Sequence, residues 1–310
     1  MALEPFLGKR IGVLMGGMSA EREVSLKSGR AIAASLDRLG YTAVPIDVDS
    51  EVAQALRAER IEIAFNALHG RYGEDGAIQG TLEVMRIPYT GSGILASALG
   101  MDKSASHDLF QSHGIPVPPF QVLTEEALSG FRADGLSFGF PVVVKPAMEG
   151  SSVGVTIVSG PGEIDSALKE AFQYGPRILI EKYISGMEVQ VGILGSKALG
   201  AIEIRPKTKF YDYTAKYVPG MSEHFFPAPL PADVYQKVLD WGLKAHHVLG
   251  CTGYSRVDLL VDRQNHPFVL EVNTLPGMTE TSLLPEIARG VGIDFDALVE
   301  RILETAGLDK

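Results

Sequence analysis

The chain has 310 residues, of which 45% are hydrophobic, a net charge of −10 and a single cysteine, Cys251, which cannot form an internal disulfide. This length and apolar content predict two or three domains with a sizeable core. The acidic balance argues against a nucleic-acid partner, and the sequence has neither an apolar run of about 20 residues nor a signal-peptide pattern, so we expect no membrane contact and a cytoplasmic location.

The first hundred residues alternate strand-like apolar runs with helix-like segments, which predicts parallel strands covered by helices. Glu21 comes at a helix start, near its positive end, and His69 follows a strand at the customary ligand edge of such a sheet. Both residues also have ordinary explanations, as a carboxylate that complements the helix dipole and as a structural histidine. The fingerprint G-x-G-x-x-G is missing after the first strand, which argues against a nicotinamide enzyme.

Closely spaced prolines in "SHGIPVPPFQVL" predict a linker into a second domain. Beyond it, "PVVVKPA" and "VTIVS" predict an antiparallel hairpin around a loop of Gly and Ser residues. Lys145 would be a fixed cation on the strand, and small residues at 150, 151, 152 and 154 would let backbone N–H groups approach anionic oxygens. The lysine precedes the glycines, so this is not a Walker A loop. A purely structural hairpin explains the stretch about as well.

A second hairpin is predicted between "SRVDLLV" and "FVLEVN". Alternation puts Arg256 and Asp258 on one face of the first strand, and Glu271 and Asn273 on one face of the second. A turn centred near Gln264 and Asn265 would place the two acids opposite each other and Arg256 opposite Asn273. Facing carboxylates repel, so we expect a cation there, and oxygen ligands favour Mg²⁺ held jointly with substrate phosphates over zinc. The alternative is a solvated strand face on which Arg256 neutralises the acids.

Two further stretches carry candidate residues. In "TLPGMTETSLLP", Gly277 would allow close approach of a ligand and Ser282 precedes a helix-like run, although a turn glycine and an N-cap serine explain them equally well. In "KFYDYTAKYVPG", aromatic residues with Lys216 and Tyr217 predict an ordered lid over a site. Lys216 has the alternative explanation of a solvated surface lysine.

Seven blocks in order together resemble the D-alanine–D-alanine ligases of the ATP-grasp superfamily, over nearly the whole chain: "GGMSAEREVS", "HGRYGEDGAIQG", "GSGILASALGMDK", "KPAMEGSSVGV", "FYDYTAKY", "SRVDLLV" and "EVNTLPGMTETSLLP". The resemblance implies an α/β protein, α+β in its C-terminal half, with an ATP-grasp fold preceded by a Rossmann-like N-terminal domain. It implies a substrate domain at 1–102, a central subdomain with the phosphate loop at 103–184, and a C-terminal subdomain with the lid and metal site at 185–310.

The activity that the resemblance implies is ATP-dependent joining of two D-alanine molecules through an acyl phosphate, with release of ADP and phosphate, for peptidoglycan precursor synthesis. It also implies two Mg²⁺ ions, with Mn²⁺ as a substitute, and a homodimer. Alternatives are another ATP-grasp carboxylate–amine ligase, a D-alanine–D-lactate ligase, and a non-catalytic ATP-binding module. Ester-forming relatives have a histidine at the position of Tyr217, so the tyrosine favours the amide.

The resemblance also implies site residues. Glu21, Ser151 and Tyr217 match a trio that places the first D-alanine, and Arg256 and the Gly277 N–H match groups that hold the tetrahedral oxyanion. The implied amino-acid contacts are Glu21, His69, Ser282 and Leu283. The implied ATP contacts are Lys103, Lys145, Glu149, Gly150, Ser151, Ser152, Val153, Glu181, Ile184, Glu188 and Lys216. The implied metal ligands are Asp258, Glu271 and Asn273.

Overall fold

The structure is a computed structural model that describes residues 4–207, 221–279 and 281–310. The two predicted lid residues, Lys216 and Tyr217, lie outside the described residues. Three sheets with flanking helices make up the described part of the chain. Within it, no helix combines the length and the apolar content needed to cross a bilayer.

The first sheet is parallel, as the sequence predicts. Its strands lie in the order β2-β1-β3, and the carboxyl end of β3 leads into the loop that carries His69. The elements of this layer are β1 (Arg10–Gly16), α1 (Arg22–Leu39), β2 (Thr42–Val48), α2 (Val52–Ala58), β3 (Ile63–Asn66) and α3 (Ala77–Met85). The helices cover a sheet whose central strand, β1, is buried from Ile11 onward, which is why that run is apolar without alternation.

The second sheet is antiparallel, with strand order β4-β7-β5-β6. The predicted hairpin is confirmed, because Val142 of β5 lies opposite Val158 of β6. Residues 113–119, where the prolines predict a linker, contain no helix or strand. The elements here are α4 (Ile94–Met101), α5 (Lys103–Ser112), β4 (Phe120–Thr124), β5 (Val142–Pro146), β6 (Thr156–Val158), α6 (Ile164–Ala171) and β7 (Arg177–Lys182).

The third sheet is also antiparallel, with strand order β10-β9-β8-β11-β12. The helix-like run that follows Ser282 in the sequence forms two helices in the structure. Gly292 breaks the run with φ +81°, and the Asp294 side chain then caps the second helix. The elements are β8 (Gly186–Leu194), β9 (Lys197–Pro206), β10 (Ser222–Phe225), α7 (Ala232–Val248), β11 (Tyr254–Asp262), β12 (Pro267–Asn273), α8 (Leu283–Gly290) and α9 (Phe295–Leu303).

The closing helix α9 packs back onto the first layer. Leu298 and Ile302 share a buried cluster with Ile32 and Leu36 of α1. At the edge of this contact, the Ser35 hydroxyl donates to the Asp296 carboxylate at 2.7 Å. Residues about 260 positions apart in the sequence therefore join the first and third layers, and this fixes how the cavities between the layers are assembled.

Two helix glycines give a test of this packing. Alanine favours a helix over glycine by about 1 kcal/mol. A Cβ on Gly80 of α3 would meet only Ile94 Cδ1, at 3.8 Å, so Gly80→Ala is expected to raise the thermal midpoint. A Cβ on Gly29 of α1 would overlap the Met15 side chain, and overpacking costs about 1–3 kcal/mol. Gly29→Ala should therefore lower the midpoint in circular-dichroism melts, and a rise in both variants would contradict the packing of α1 on β1.

Candidate functional site

A cavity of about 460 Å³ lies between the second and third sheets. Its volume is in the range of sites that enclose a small molecule. It is lined by every described residue that the sequence assigns to ATP, namely Lys103, Lys145, Glu149, Gly150, Ser151, Ser152, Val153, Glu181, Ile184 and Glu188. The fold thus brings together a helix start, a strand end, a loop and the segment after β7, which are dispersed in the sequence.

Lys145 is held in this cavity by a buried ion pair. Its Nζ lies 2.8 Å from Glu181 Oε2, and both side chains are at most 10% exposed. The lysine is on β5 and the glutamate on the neighbouring strand β7, so the sheet itself fixes their separation. Because a buried charge without a partner is costly, the Glu181 carboxylate stabilises the Lys145 side chain in this position.

His107 lies behind this pair and was missed by the sequence analysis. Its Nε2 donates to the Leu270 carbonyl at 2.7 Å, and its Nδ1 lies 3.4 Å from Glu181 Oε1. Burial lowers the pKa of His107. The histidine occurs in no motif, but it follows Lys103 by four residues on α5, and that spacing puts both side chains on the cavity-facing side of the helix.

The predicted pairing of β11 with β12 is confirmed. Asp258 lies opposite Glu271 and Arg256 opposite Asn273. Arg256 grips Asp258 with Nε at 2.7 Å and Nη2 at 2.9 Å, and Lys103 Nζ lies 3.2 Å from Glu271 Oε2. Asp258 is only 4% exposed, whereas Arg256, Glu271 and Asn273 are partly exposed, and Arg256 pairs with an acid as the alternative required.

The side-chain oxygen atoms on this face are of the kind that the expected cation, Mg²⁺, prefers as ligands. Within the described ranges, no group of three His, Cys, Asp or Glu side chains forms a metal cage made by protein alone. Two carboxylates and the amide of Asn273 are hard oxygen donors, and the Asn273 oxygen is oriented by the Leu275 N–H at 2.9 Å. Such a partial set fits an ion that completes its coordination with substrate phosphates.

A second cavity, of about 250 Å³, adjoins the first. It is lined by every described residue that the sequence assigns to amino-acid substrates and to the oxyanion, namely Glu21, His69, Ser151, Arg256, Gly277, Ser282 and Leu283. The two cavities share four lining residues, Lys103, Gly150, Ser151 and Glu271. A group bound in one cavity therefore meets a group bound in the other across this common wall.

Ser151 joins the phosphate loop to the first layer at this wall. Its hydroxyl donates to Glu21 Oε1 at 2.5 Å, a contact between residues 130 positions apart. Glu21 occupies the N-cap position of α1, but its side chain makes no capping hydrogen bond to that helix. Its carboxylate instead accepts the hydrogen bond from Ser151 of the phosphate loop. Ser151 and Ser152 have φ of +50° and +61°, a conformation that costs a non-glycine residue about 1–3 kcal/mol and is concentrated at functional sites.

His69 and Ser282, two further candidate residues, are held in place by hydrogen bonds within the protein. His69 is 6% exposed, with Nε2 3.3 Å from the Ser28 hydroxyl and Nδ1 3.3 Å from Glu74 Oε1. Burial raises the pKa of the Glu74 carboxyl. Ser282 occupies the N-cap position of α8, yet its Oγ accepts from the Thr279 N–H at 3.0 Å instead of capping that helix. Both side chains are thereby fixed at the cavity wall.

Comparison with protein families places these features in a known group. Residues 10–59 and 50–92 match the family model "D-ala D-ala ligase N-terminus". Residues 109–304 match "D-ala D-ala ligase C-terminus". The chain belongs to the D-alanine–D-alanine ligase family. This confirms the family predicted from the seven blocks, and with it the ATP-grasp fold.

Individual members of the D-alanine–D-alanine ligase family match nearly the full length of this chain. A D-alanine–D-alanine ligase of Geotalea uraniireducens is 59% identical over 308 residues, covering 99% of each chain. A solved D-alanine–D-alanine ligase of Bacillus anthracis superposes with a TM-score of 0.86 at 42% identity, covering 96% of this chain and 97% of that one. A structure of the Bacillus anthracis ligase complexed with ATP superposes with a TM-score of 0.85 at 39% identity and the same coverage.

The Lys145–Glu181 pair gives a prediction about stability. Lys145→Met leaves a buried carboxylate unpaired, which costs about 3–5 kcal/mol. Adding Glu181→Gln should recover much of that loss, because the amide carries no charge. Lys237→Met is the control, since Lys237 and Asp233 form an exposed pair of the kind that contributes little. Urea unfolding of the wild type and these three variants measures this, and equal effects of Lys145→Met and Lys237→Met would contradict the buried pair.

Proposed function

We propose that this chain is an ATP-dependent D-alanine–D-alanine ligase that forms D-alanyl-D-alanine through an acyl phosphate and releases ADP and phosphate, for peptidoglycan precursor synthesis. The observation that carries the proposal is the wall shared by the two cavities, with Lys103, Gly150, Ser151 and Glu271 in common. A terminal phosphoryl group in the first cavity would meet a carboxylate in the second at this wall. Family membership and the match to an ATP-complexed ligase support the same assignment.

The first half of the reaction is phosphoryl transfer to a carboxylate, which is otherwise a poor electrophile. Lys103 and Lys145 are placed to offset the charge of the phosphates, and the loop at 149–153 lies along the same cavity. Asp258, Glu271 and Asn273 would hold two Mg²⁺ ions, or Mn²⁺, which when bound neutralise phosphate charge. Glu21 and Ser151 would orient the first D-alanine so that its carboxylate faces the wall.

The second half is attack of the amine of the other D-alanine on the activated carbonyl. We assign Arg256, held flat against Asp258, and the Gly277 N–H to the oxyanion of the tetrahedral intermediate, since both line the second cavity. Phosphate then leaves and the dipeptide remains. Ser282 and Leu283 would receive the second amino acid, and His69 the carboxyl group of the first.

The alternatives differ at defined positions. Another carboxylate–amine ligase of this fold would use Lys145, Asp258 and Glu271 in the same way but would differ around Glu21 and Ser151. A D-lactate-using ligase would differ at Tyr217, which lies outside the described residues together with Lys216, and a non-catalytic module would bind ATP without turnover. The module boundaries at 102 and 184, the homodimer and the cytoplasmic location stay predictions.

The activity is tested by measuring ADP release with Mg-ATP and, in turn, D-alanine, L-alanine, and D-alanine with D-lactate, with products identified by mass spectrometry. We expect release that depends on D-alanine, a product with the mass of the dipeptide, and loss of turnover when the divalent ion is chelated. ATP binding without release in any arm would support the non-catalytic module, and an ester mass would support the D-lactate ligase.

Ser151→Ala tests the contact with Glu21. Removing a hydrogen bond to a charged group costs about 1.5–3 kcal/mol, so kcat/KM for D-alanine should fall roughly 10- to 100-fold. Ser166→Ala is the control, because its hydroxyl bonds only the Glu163 carbonyl on an exposed surface in the structure as described. Steady-state kinetics of both variants decide the point. Equal kinetics for the two variants would remove Ser151 from the proposed site.

A further inference from the structure

Asp102 immediately precedes Lys103 and caps the helix that Lys103 begins. Its Oδ1 accepts from the Ser104 and Ala105 N–H groups at 3.1 and 3.2 Å and from the Ser104 hydroxyl at 2.6 Å. An N-cap carboxylate fixes the first turn by satisfying amides that have no partner within the helix. The direction in which Lys103 leaves the backbone therefore depends on Asp102.

The other oxygen of Asp102 is held by Arg177, the first residue of β7. Arg177 Nη1 also reaches the Ser104 hydroxyl at 3.3 Å. Two backbone hydrogen bonds complete this set of contacts. The Lys103 N–H donates to the Ala147 carbonyl at 2.9 Å, and the Ala147 N–H donates to the Arg177 carbonyl at 3.0 Å. The start of α5, the end of β5 and the start of β7 are thus tied at one point.

This ring of contacts supports a lysine at the wall between the cavities. Lys103 Nζ donates to the Glu149 carbonyl of the phosphate loop at 2.6 Å and lies 3.2 Å from Glu271 Oε2. A small rotation of the first turn of α5 would move that ammonium away from both partners. Asp102 and Arg177 line neither of the two cavities, whereas Lys103 lines both, so the contacts that connect the pair to a ligand there run through Lys103.

The ion pair between Asp102 and Arg177 also determines the net charge next to Lys103. Burial would raise the pKa of Asp102, but the hydrogen bonds from Ser104, Arg177 and Ala105 outweigh it and hold the pKa below its usual value. The carboxylate is therefore ionised beside a cavity proposed to take a polyphosphate. Arg177 neutralises it, so the helix keeps its cap without a net negative charge next to Lys103.

We propose that Asp102 and Arg177 form a positioning pair that fixes Lys103 at the wall between the two cavities and thereby sets the affinity for ATP. The inference rests on the proposed function for its kinetic readout, whereas its binding readout requires only that the protein binds Mg-ATP. Neither residue lines the two cavities, so we assign both an indirect role through Lys103.

The test compares Asp102→Ala with Asp294→Ala. Asp294 caps α9 by accepting from the Ala297 N–H at 2.8 Å, and it lines neither of the two cavities. Loss of a cap costs about 1 kcal/mol, so both variants should have a lower thermal midpoint. Only Asp102→Ala should raise the Kd for Mg-ATP in calorimetry, and the KM for ATP, by roughly fivefold.

Two further variants separate the cap from the charge. Asparagine is as good an N-cap as aspartate, so Asp102→Asn should recover most of the ATP affinity, while Arg177→Met should weaken binding less than Asp102→Ala. Wild-type Kd in Asp102→Ala, or an equal loss in Asp294→Ala, would overturn the positioning role. If the wild-type protein showed no D-alanine-dependent ADP release but the Kd ratios were as expected, the proposed function would fail and the positioning pair would stand.

Discussion

Compensation of charge in a buried cleft is the constraint on which the rest of the structure depends. The cleft between the second and third sheets contains Lys145 and Glu181 as a buried pair, Arg256 against Asp258, and Lys103 against Glu271. Each of these three carboxylates has a cation within hydrogen-bonding or ion-pair distance, because an unpaired charge in such a place costs about 3–5 kcal/mol. The same fixed charges are what a polyphosphate and a divalent ion would meet on entry, so the groups that stabilise the cleft also prepare it for the proposed chemistry.

The β-sheets determine the distances between these charged side chains. Lys145 and Glu181 are on adjacent strands, and Asp258 and Glu271 are directly opposite each other, so separations are set by strand spacing rather than by flexible loops. The phosphate loop is the exception. Its left-handed Ser151 is held by the carboxylate of Glu21 from another layer, which connects the loop to the amino-acid cavity. A strained loop tied to a substrate cavity is suited to couple the two halves of the reaction.

Much of this arrangement could be predicted from the sequence, for identifiable reasons. The pairing of Asp258 with Glu271 could be predicted from a period of two residues and the position of one turn, because both are local properties. The β-bulge in this pair of strands, between Asp258 and Leu259, was not predicted. The Lys145 pair with Glu181 could not be predicted in the same way, since it depends on β5 and β7 becoming neighbours. Likewise the break between α8 and α9 was missed, although Gly292 and Asp294 mark it, and the packing of α9 on α1 joins residues with no local signal in common. His107 was missed because it acts behind a motif residue rather than within a motif. Asp102 lies within the block "GSGILASALGMDK", but its role was missed because the fold has to bring Arg177 next to it.

The central claim is that a phosphoryl group passes from ATP in the larger cavity to a carboxylate in the smaller one. Its most direct test is to supply D-alanine labelled with ¹⁸O in the carboxyl group and to measure the isotope content of the released phosphate by mass spectrometry. Attack of the carboxylate on phosphorus followed by attack of the amine on the carbonyl carbon leaves one labelled oxygen in the phosphate, which is the result this account predicts. Phosphate without label, released at the same rate as ADP, would mean transfer to water and would contradict it.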